Sequence, residues 1–445
     1  MKILPYIVVL SSALCISQPH WGQHTMHDTL GKQGTPMVHD SMPQHMSSAF
    51  SLSLPMNRNG SGTGWQPDAT PMPGSMKHLG EWMLMLHGNL FLRYTSQNIN
   101  NDGKRGDDSQ FDAPNWMMGM LQRPVGKNGL FSSSVMISFD RPVMGGDGYP
   151  LLFQSGETWQ GAPLIDRQHP HEIFSGISIG YSHRLSEKTD IFGYFGYPGE
   201  PAVGPVAFMH RASALSNPDS PLGHHWQDAT HIVFGVATLG MRYGIVKLEG
   251  SVFTGREPDE NRYNFDRPRF DSYSYRISVN PTASLALQVS QAFLKSPELL
   301  HSEEDVIRAT ASVQHSMDLD MGKYLLSSLV YGLNSGDEHD EHSFLLESDL
   351  RSAKSNVYGR IEYIQKSAEE LAIISDGADL FNISAFTLGA AYRLASFGQL
   401  DLFAGIQGTV NATGKTLESL YGSTPLSGEV YLRFSPSLMK PQGHH

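Results

Sequence analysis

Ile307-Arg308-Ala309-Thr310-Ala311-Ser312-Val313-Gln314 alternates apolar and polar residues without a break. Successive side chains of an extended chain point to opposite faces, so this stretch predicts a strand with one apolar face and one polar face. The polar face carries Arg, Thr, Ser and Gln. A charge or amide at every second position is costly inside a packed core but ordinary in a water-filled lumen. The same period of two recurs in Tyr273 to Val279, where Ser274, Arg276 and Ser278 are the polar set, and in Val246 to Val252, where Lys247, Glu249 and Ser251 are. Ile177 to Ser182 and Glu429 to Phe434 repeat it.

Working outward, segments of this kind fall near 82–95, 114–122, 129–140, 173–184, 189–197, 230–243, 245–255, 272–280, 284–294, 305–316, 323–334, 342–352, 355–365, 383–394, 399–410 and 427–435. Sixteen is an even number, as expected for a bacterial up-and-down barrel, and short turns such as Asn280-Pro281-Thr282 alternate with long polar connections. A soluble sandwich, propeller or solenoid would also alternate, but no repeat of blade length is present. The expected fold is all-β: an antiparallel, up-and-down transmembrane β-barrel of about 16 strands behind a disordered N-terminal arm. Phe434 is followed by Ser435 to His445, so the final strand does not end the chain at an aromatic residue.

The first residues, Met1-Lys2 and the apolar run Ile3 to Ile16, have the form of a secretory signal. The expected organisation is a signal peptide over 1–22, a Met/His-rich arm over 23–78, the barrel over 79–435 and a tail over 436–445. Cys15 is the single cysteine and departs with the signal, which excludes thiolate ligands, disulfides and cysteine nucleophiles from the mature chain. After the signal no apolar run is long enough for a membrane-spanning helix. The 44 acidic residues outnumber 32 Lys and Arg with no basic stripe, which excludes nucleic acid as a partner.

The arm has no apolar periodicity and is expected to be mobile. It interleaves His24, Met26, His27, Met37, His39, His45 and Met46. Thioethers favour Cu(I), and imidazole binds both oxidation states of copper, so this composition suits copper capture. The competing reading is a flexible leader that happens to be rich in methionine.

Between the strands, Asp166 to Glu172 and Gly223 to His231 are dense in histidine. His169 and His171 share one side of an extended segment, with Glu172 placed to orient one of them from behind. His224, His225, His231 and Asp228 complete a nitrogen and oxygen ligand set if both loops lie on one rim. The alternative is that the loops fold inward as a hydrogen-bonded plug with neutral histidines. Two further polar stretches are expected to be solvated loops: Gly255 to Arg269, which as a second reading lines an ion-selecting constriction, and Asp337 to His342. An enzyme reading pairs Ser213 or Ser216 with His210, but no Gly-x-Ser-x-Gly surrounds either serine, and a non-enzymatic role is expected.

Phe153-Gln154-Ser155-Gly156-Glu157-Thr158-Trp159, Asp166 to Glu172, Gly223 to His231, Gly255-Arg256-Glu257-Pro258-Asp259-Glu260 and Gln365-Lys366-Ser367-Ala368-Glu369-Glu370-Leu371 are long motifs. Through them the chain, from about Trp65 to Phe434, resembles a family of uncharacterised bacterial outer-membrane-type β-barrel proteins. The resemblance implies a barrel and brings no activity with it. In composition alone, the arm is similar to that of copper-resistance outer-membrane proteins of the B type. The expected role is transport or sequestration of metal in the outer membrane, with copper the favoured ion and no other cofactor implied. Outer-membrane lipid and periplasmic copper-handling proteins are the expected partners. The first alternative is a porin-like channel for small or hydrophobic solutes with no metal role; the second is a lipid-acting enzyme.

Overall fold

The structure, a computed structural model, describes residues 47–300, 302–337, 339–374 and 379–439. The expected signal peptide lies outside the described residues, and so do His24, Met26, His27, Met37, His39, His45 and Met46. Sixteen long strands close into one antiparallel barrel. They are β1 (Trp82–Ser96), β2 (Asn115–Val125), β3 (Gly129–Ile137), β4 (Phe174–Ser186), β5 (Thr189–Gly196), β6 (Val236–Tyr243), β7 (Val246–Phe253), β8 (Ser272–Thr282), β9 (Leu285–Lys295), β10 (Asp305–Asp318), β11 (Tyr324–Ser335), β12 (Asp340–Arg351), β13 (Ser355–Ser367), β14 (Leu380–Phe397), β15 (Leu400–Thr413) and β16 (Leu426–Pro436). Closure is made by β16 against β1, from Gly428 opposite Ser96 to Phe434 opposite Leu90.

The alternation works as the sequence predicts, and its sense is inverted relative to a soluble protein. In β10, Arg308, Thr310, Ser312 and Gln314 are buried, while Ile307 and Val313 are 43% and 38% exposed. In β8, Ser274, Arg276 and Ser278 are buried and Tyr273, Tyr275 and Ile277 face outward. An outer face of Leu, Ile, Val, Phe and Tyr around a polar interior is stable only where lipid replaces water outside, and barrel closure leaves no strand edge unpaired there. The molecule is therefore an outer-membrane-type β-barrel.

Two expectations change. Residues 230–235 do not extend β6: Ala229–His231 forms a 3-10 turn, and Gly235 takes φ 105°, so the strand starts at Val236. The arm expected to be disordered over 23–78 has ordered structure from Ser47 onward, its first part lying outside the described residues. Ser47–Ser48 and Ser51–Pro55 pair, a 3-10 turn covers Met56–Arg58, and Ser75–Leu79 pairs with the start of β1. The segment between these elements is threaded through the lumen because its polar groups meet the polar inner wall. Ser51 donates to Asp190 at 2.6 Å, Arg276 to Thr63 Oγ1 at 2.8 Å, and Asn280 to the Gln66 carbonyl at 2.9 Å. Arg58 pairs with Asp68 at 2.5 Å and lies over the Trp65 ring. Composition misleads here because the segment borrows its burial from the barrel instead of forming a core of its own.

The long connections also turn inward. Residues 197–235 run through the lumen, tied to its wall by buried ion pairs, Arg211 to Glu347 at 2.6 Å and Arg93 to Asp219 at 2.5 Å, and braced within by Arg211 to Asp228 at 3.3 Å. The short helix His224–Gln227 lies flat on the wall at Gly332, where any Cβ would collide with the Trp226 carbonyl.

Candidate metal centre in the lumen

The two histidine loops meet inside the barrel. His169 follows a two-residue strand, Arg167–Gln168, that pairs with Tyr149–Pro150, and Pro170 stiffens the step to His171. His224 and His225 stand on the short helix, with His231 one turn further on. One ligand atom each of His169, His224 and His225 lies within 4.8 Å of the others. His171 and His231 extend the cluster, with ring centroids 5.6 Å apart, and His231 lies 5.0 Å from His224. Gly156 permits the approach: at φ 103° it has no Cβ, and one placed there would sit 2.6 Å from His225 Nδ1.

Each imidazole is held from its Nδ1 side. His224 Nδ1 meets Asp228 Oδ1 at 2.5 Å, His171 Nδ1 meets Asp140 Oδ2 at 2.7 Å, and His231 Nδ1 meets the Asp228 carbonyl at 2.8 Å. His169 Nδ1 meets the Pro170 carbonyl at 3.2 Å, and His225 Nδ1 faces Glu257 at 3.6 Å. Carboxylates and carbonyls only accept, so the Nδ1 atoms of His224, His171 and His231 carry the proton, while His169 also faces Glu157 through its Nε2 at 3.4 Å. The Nε2 atoms of His171, His225 and His231 are buried with no protein partner. In carboxylate–histidine–metal sites an imidazole is held by a carboxylate in the way Asp228 holds His224 and Asp140 holds His171.

Burial lowers the pKa of His169, and the nearby Arg262 adds to the effect. Burial also lowers His224, against the opposing Asp228, and lowers His231. These rings are neutral at neutral pH, the form a metal needs. Burial works against charge on His225 as well, but Glu257 and Glu157 outweigh it and raise its pKa.

Two sequence expectations about roles are corrected. Glu172 does not orient a histidine; it is taken by Arg262, which also reaches Glu157 at 3.2 Å, and Asp140 orients His171 instead. Asp228 stands behind His224, paired with Arg211, and is not among the converging ligand atoms. Asp140, Glu157 and Glu257 were not legible as site residues, since nothing local marks them; Glu257 lies in the run first read as a solvated loop. On the loop side, Glu157 and Glu257 open onto a cavity of about 800 Å3 also lined by Glu341, Glu370, Arg256 and His339. The serine hydroxyls of the enzyme reading are engaged elsewhere: Ser213 donates to Glu347 at 2.9 Å and Ser216 to Asp349 at 2.6 Å. His210 packs on Trp116 instead.

The architecture defines the class: a closed sixteen-stranded barrel of outer-membrane type with an internal plug. No protein-family model matches the chain, and no curated protein matches it in sequence. Among solved structures it is similar to OmpF of Salmonella typhi in complex with daunomycin, at 10% identity and TM-score 0.50, covering 81% of this chain and 100% of that one. It is also similar to an anion-selective porin from Comamonas acidovorans, at 11% identity and TM-score 0.49, covering 80% and 100%. The OmpF likeness extends to the barrel fold; similarity to copper-resistance proteins is not shown.

Proposed function

We propose that this chain is a channel-type outer-membrane barrel narrowed by its own plug, and that the solute held at the narrowing is a divalent transition-metal ion, copper(II) before zinc. The observation carrying this reading is the convergence of His169, His224 and His225, one ligand atom of each lying within 4.8 Å of the others. Nitrogen and oxygen donors suit copper(II) and zinc, and the order of affinities favours copper. The acidic groups of the loop-side cavity would gather cations ahead of the site. Lipid surrounds the outer face, and copper-handling proteins on the turn side are the proposed recipients.

The test is metal retention and entry. The purified barrel is expected to hold copper(II) through gel filtration and to admit it into liposomes loaded with a chelating dye. The His169→Ala/His224→Ala/His225→Ala variant is expected to lose retention. Equal retention by that variant would overturn the metal reading. A porin-like channel without a metal role is the second reading, favoured by the size of the loop-side cavity; uptake of small sugars at the same rate by both proteins, with no copper bound, would establish it.

A further inference from the structure

The opposite half of the lumen is lined with sulfur. On β1, Met83, Met85 and His87 alternate onto the inner face, and on β2 Trp116, Met118 and Met120 do the same. The register sets His87 opposite Met118 and Met85 opposite Met120, and Met118 is in turn opposite Met136 of β3. Directly opposed residues hold their Cβ atoms about 5 Å apart, within reach of one shared ion. From inside the barrel, Met56 and Met72 of the threaded segment cover this wall, with Met76 and Met439 joining the cluster. Met209 packs over Trp116, Met118 and Met136. Ten of the chain's twenty methionines are gathered here, on an inner face that elsewhere carries Ser, Thr, Gln, Glu and Arg.

The wall is not fully packed. A cavity of about 190 Å3 is lined by Met72, Met85, Met118, Met120, His87 and His210. His87 and His210 lie 5.5 Å apart by ring centroid, and His87 Nε2 is buried without a protein partner. A smaller space, lined by Met118, Met209, His210 and His231 among others, lies between this cavity and the histidine centre.

We propose that this wall is a second metal site, selective for a soft monovalent ion, Cu(I) or Ag(I), bound by the thioethers of Met85, Met118 and Met120 and by His87. Thioethers hold Cu(I) and have little affinity for zinc or for hard cations, and one imidazole strengthens such a set without changing its preference. Methionine also fills irregular cores, and that role alone would leave the residues replaceable by leucine with no effect on metal. The site does not depend on the histidine centre, whose ligands and preferred ions differ.

The experiment uses the full chain with His20, His24, Met26, His27, Met37, His39, Met42, His45 and Met46 replaced by Ala, so that these ligands near the N-terminus cannot contribute. Under anaerobic conditions this protein is expected to take Cu(I) from the chelator bicinchoninate, and X-ray absorption at the copper edge is expected to show sulfur neighbours. Met118→Leu/Met120→Leu, which conserves volume, is expected to weaken Cu(I) binding by more than about tenfold, the least that even an outer-sphere partner costs. His224→Ala/His225→Ala is expected to leave it unchanged, which separates this site from the histidine centre. Failure to take Cu(I), copper with only nitrogen and oxygen neighbours, or unchanged affinity in the leucine variant would overturn the proposal. The absorption spectrum decides the matter even where the leucine variant does not fold.

Discussion

The chemistry at the centre of this molecule depends on which ring nitrogen of each histidine is held. Asp228 serves two of them, through its carboxylate to His224 and its carbonyl to His231, while Arg211 neutralises its remaining charge. Asp228→Asn keeps the shape but removes the charge that makes His224 a stronger donor. It is expected to weaken copper(II) binding by about 10- to 100-fold, measured by competition titration, with the fold retained. Affinity within twofold of the native chain would show that Asp228 only braces the plug. The histidines were recognisable from the sequence as a cluster because they are dense and close together. Asp140, 31 positions before His171, and Glu257, 32 positions after His225, were not, because only the inward fold of separate loops brings them into contact.

Among the elements, β14 alternates buried and exposed positions without a break from Ala385 to Tyr392. Phe386 and Leu388 are about half exposed, and Thr387 between them is buried, bonded to Thr409 of β15 at 2.9 Å. Leu388, near the middle of the strand, is expected to face the centre of the bilayer. Leu388→Arg should lower unfolding stability in lipid by about 2–4 kcal/mol, read from denaturant unfolding in vesicles. A loss below about 1 kcal/mol would place that position at the interface instead. The strands were legible because their signal is local: each reports its own two faces regardless of its neighbours. β6 is the exception that explains the rule. His231 to Phe234 look strand-like by composition, yet the bridge between Gly199 and Val233 ties them to the plug.

In the whole molecule the barrel is a container whose contents belong to the same chain. The segment from Ser47 to Pro73 and the connection 197–235 divide the lumen into a loop-side cavity edged with carboxylates and a turn-side cavity edged with methionine. A sixteen-stranded barrel without contents encloses an aqueous channel. Deleting 47–73 is therefore expected to raise single-channel conductance in planar bilayers from a low, fluctuating level to that of an open pore. Conductance equal to the native level would mean that the connection 197–235 alone closes the passage.

The sequence by itself determined the number of strands, their faces and the polarity of the lumen, because a period of two is a property of each strand and needs no partner. It also marked the histidine loops and the richness in methionine. Only the tertiary structure decided that residues 47–73 are lumen contents, that His169, His224 and His225 converge on one centre with His171 and His231 beside them, and that Met85, Met118, Met120 and His87 share one wall. These depend on barrel closure, cross-strand register and contacts between residues far apart in the chain, such as Arg276 with Thr63, which no local pattern encodes.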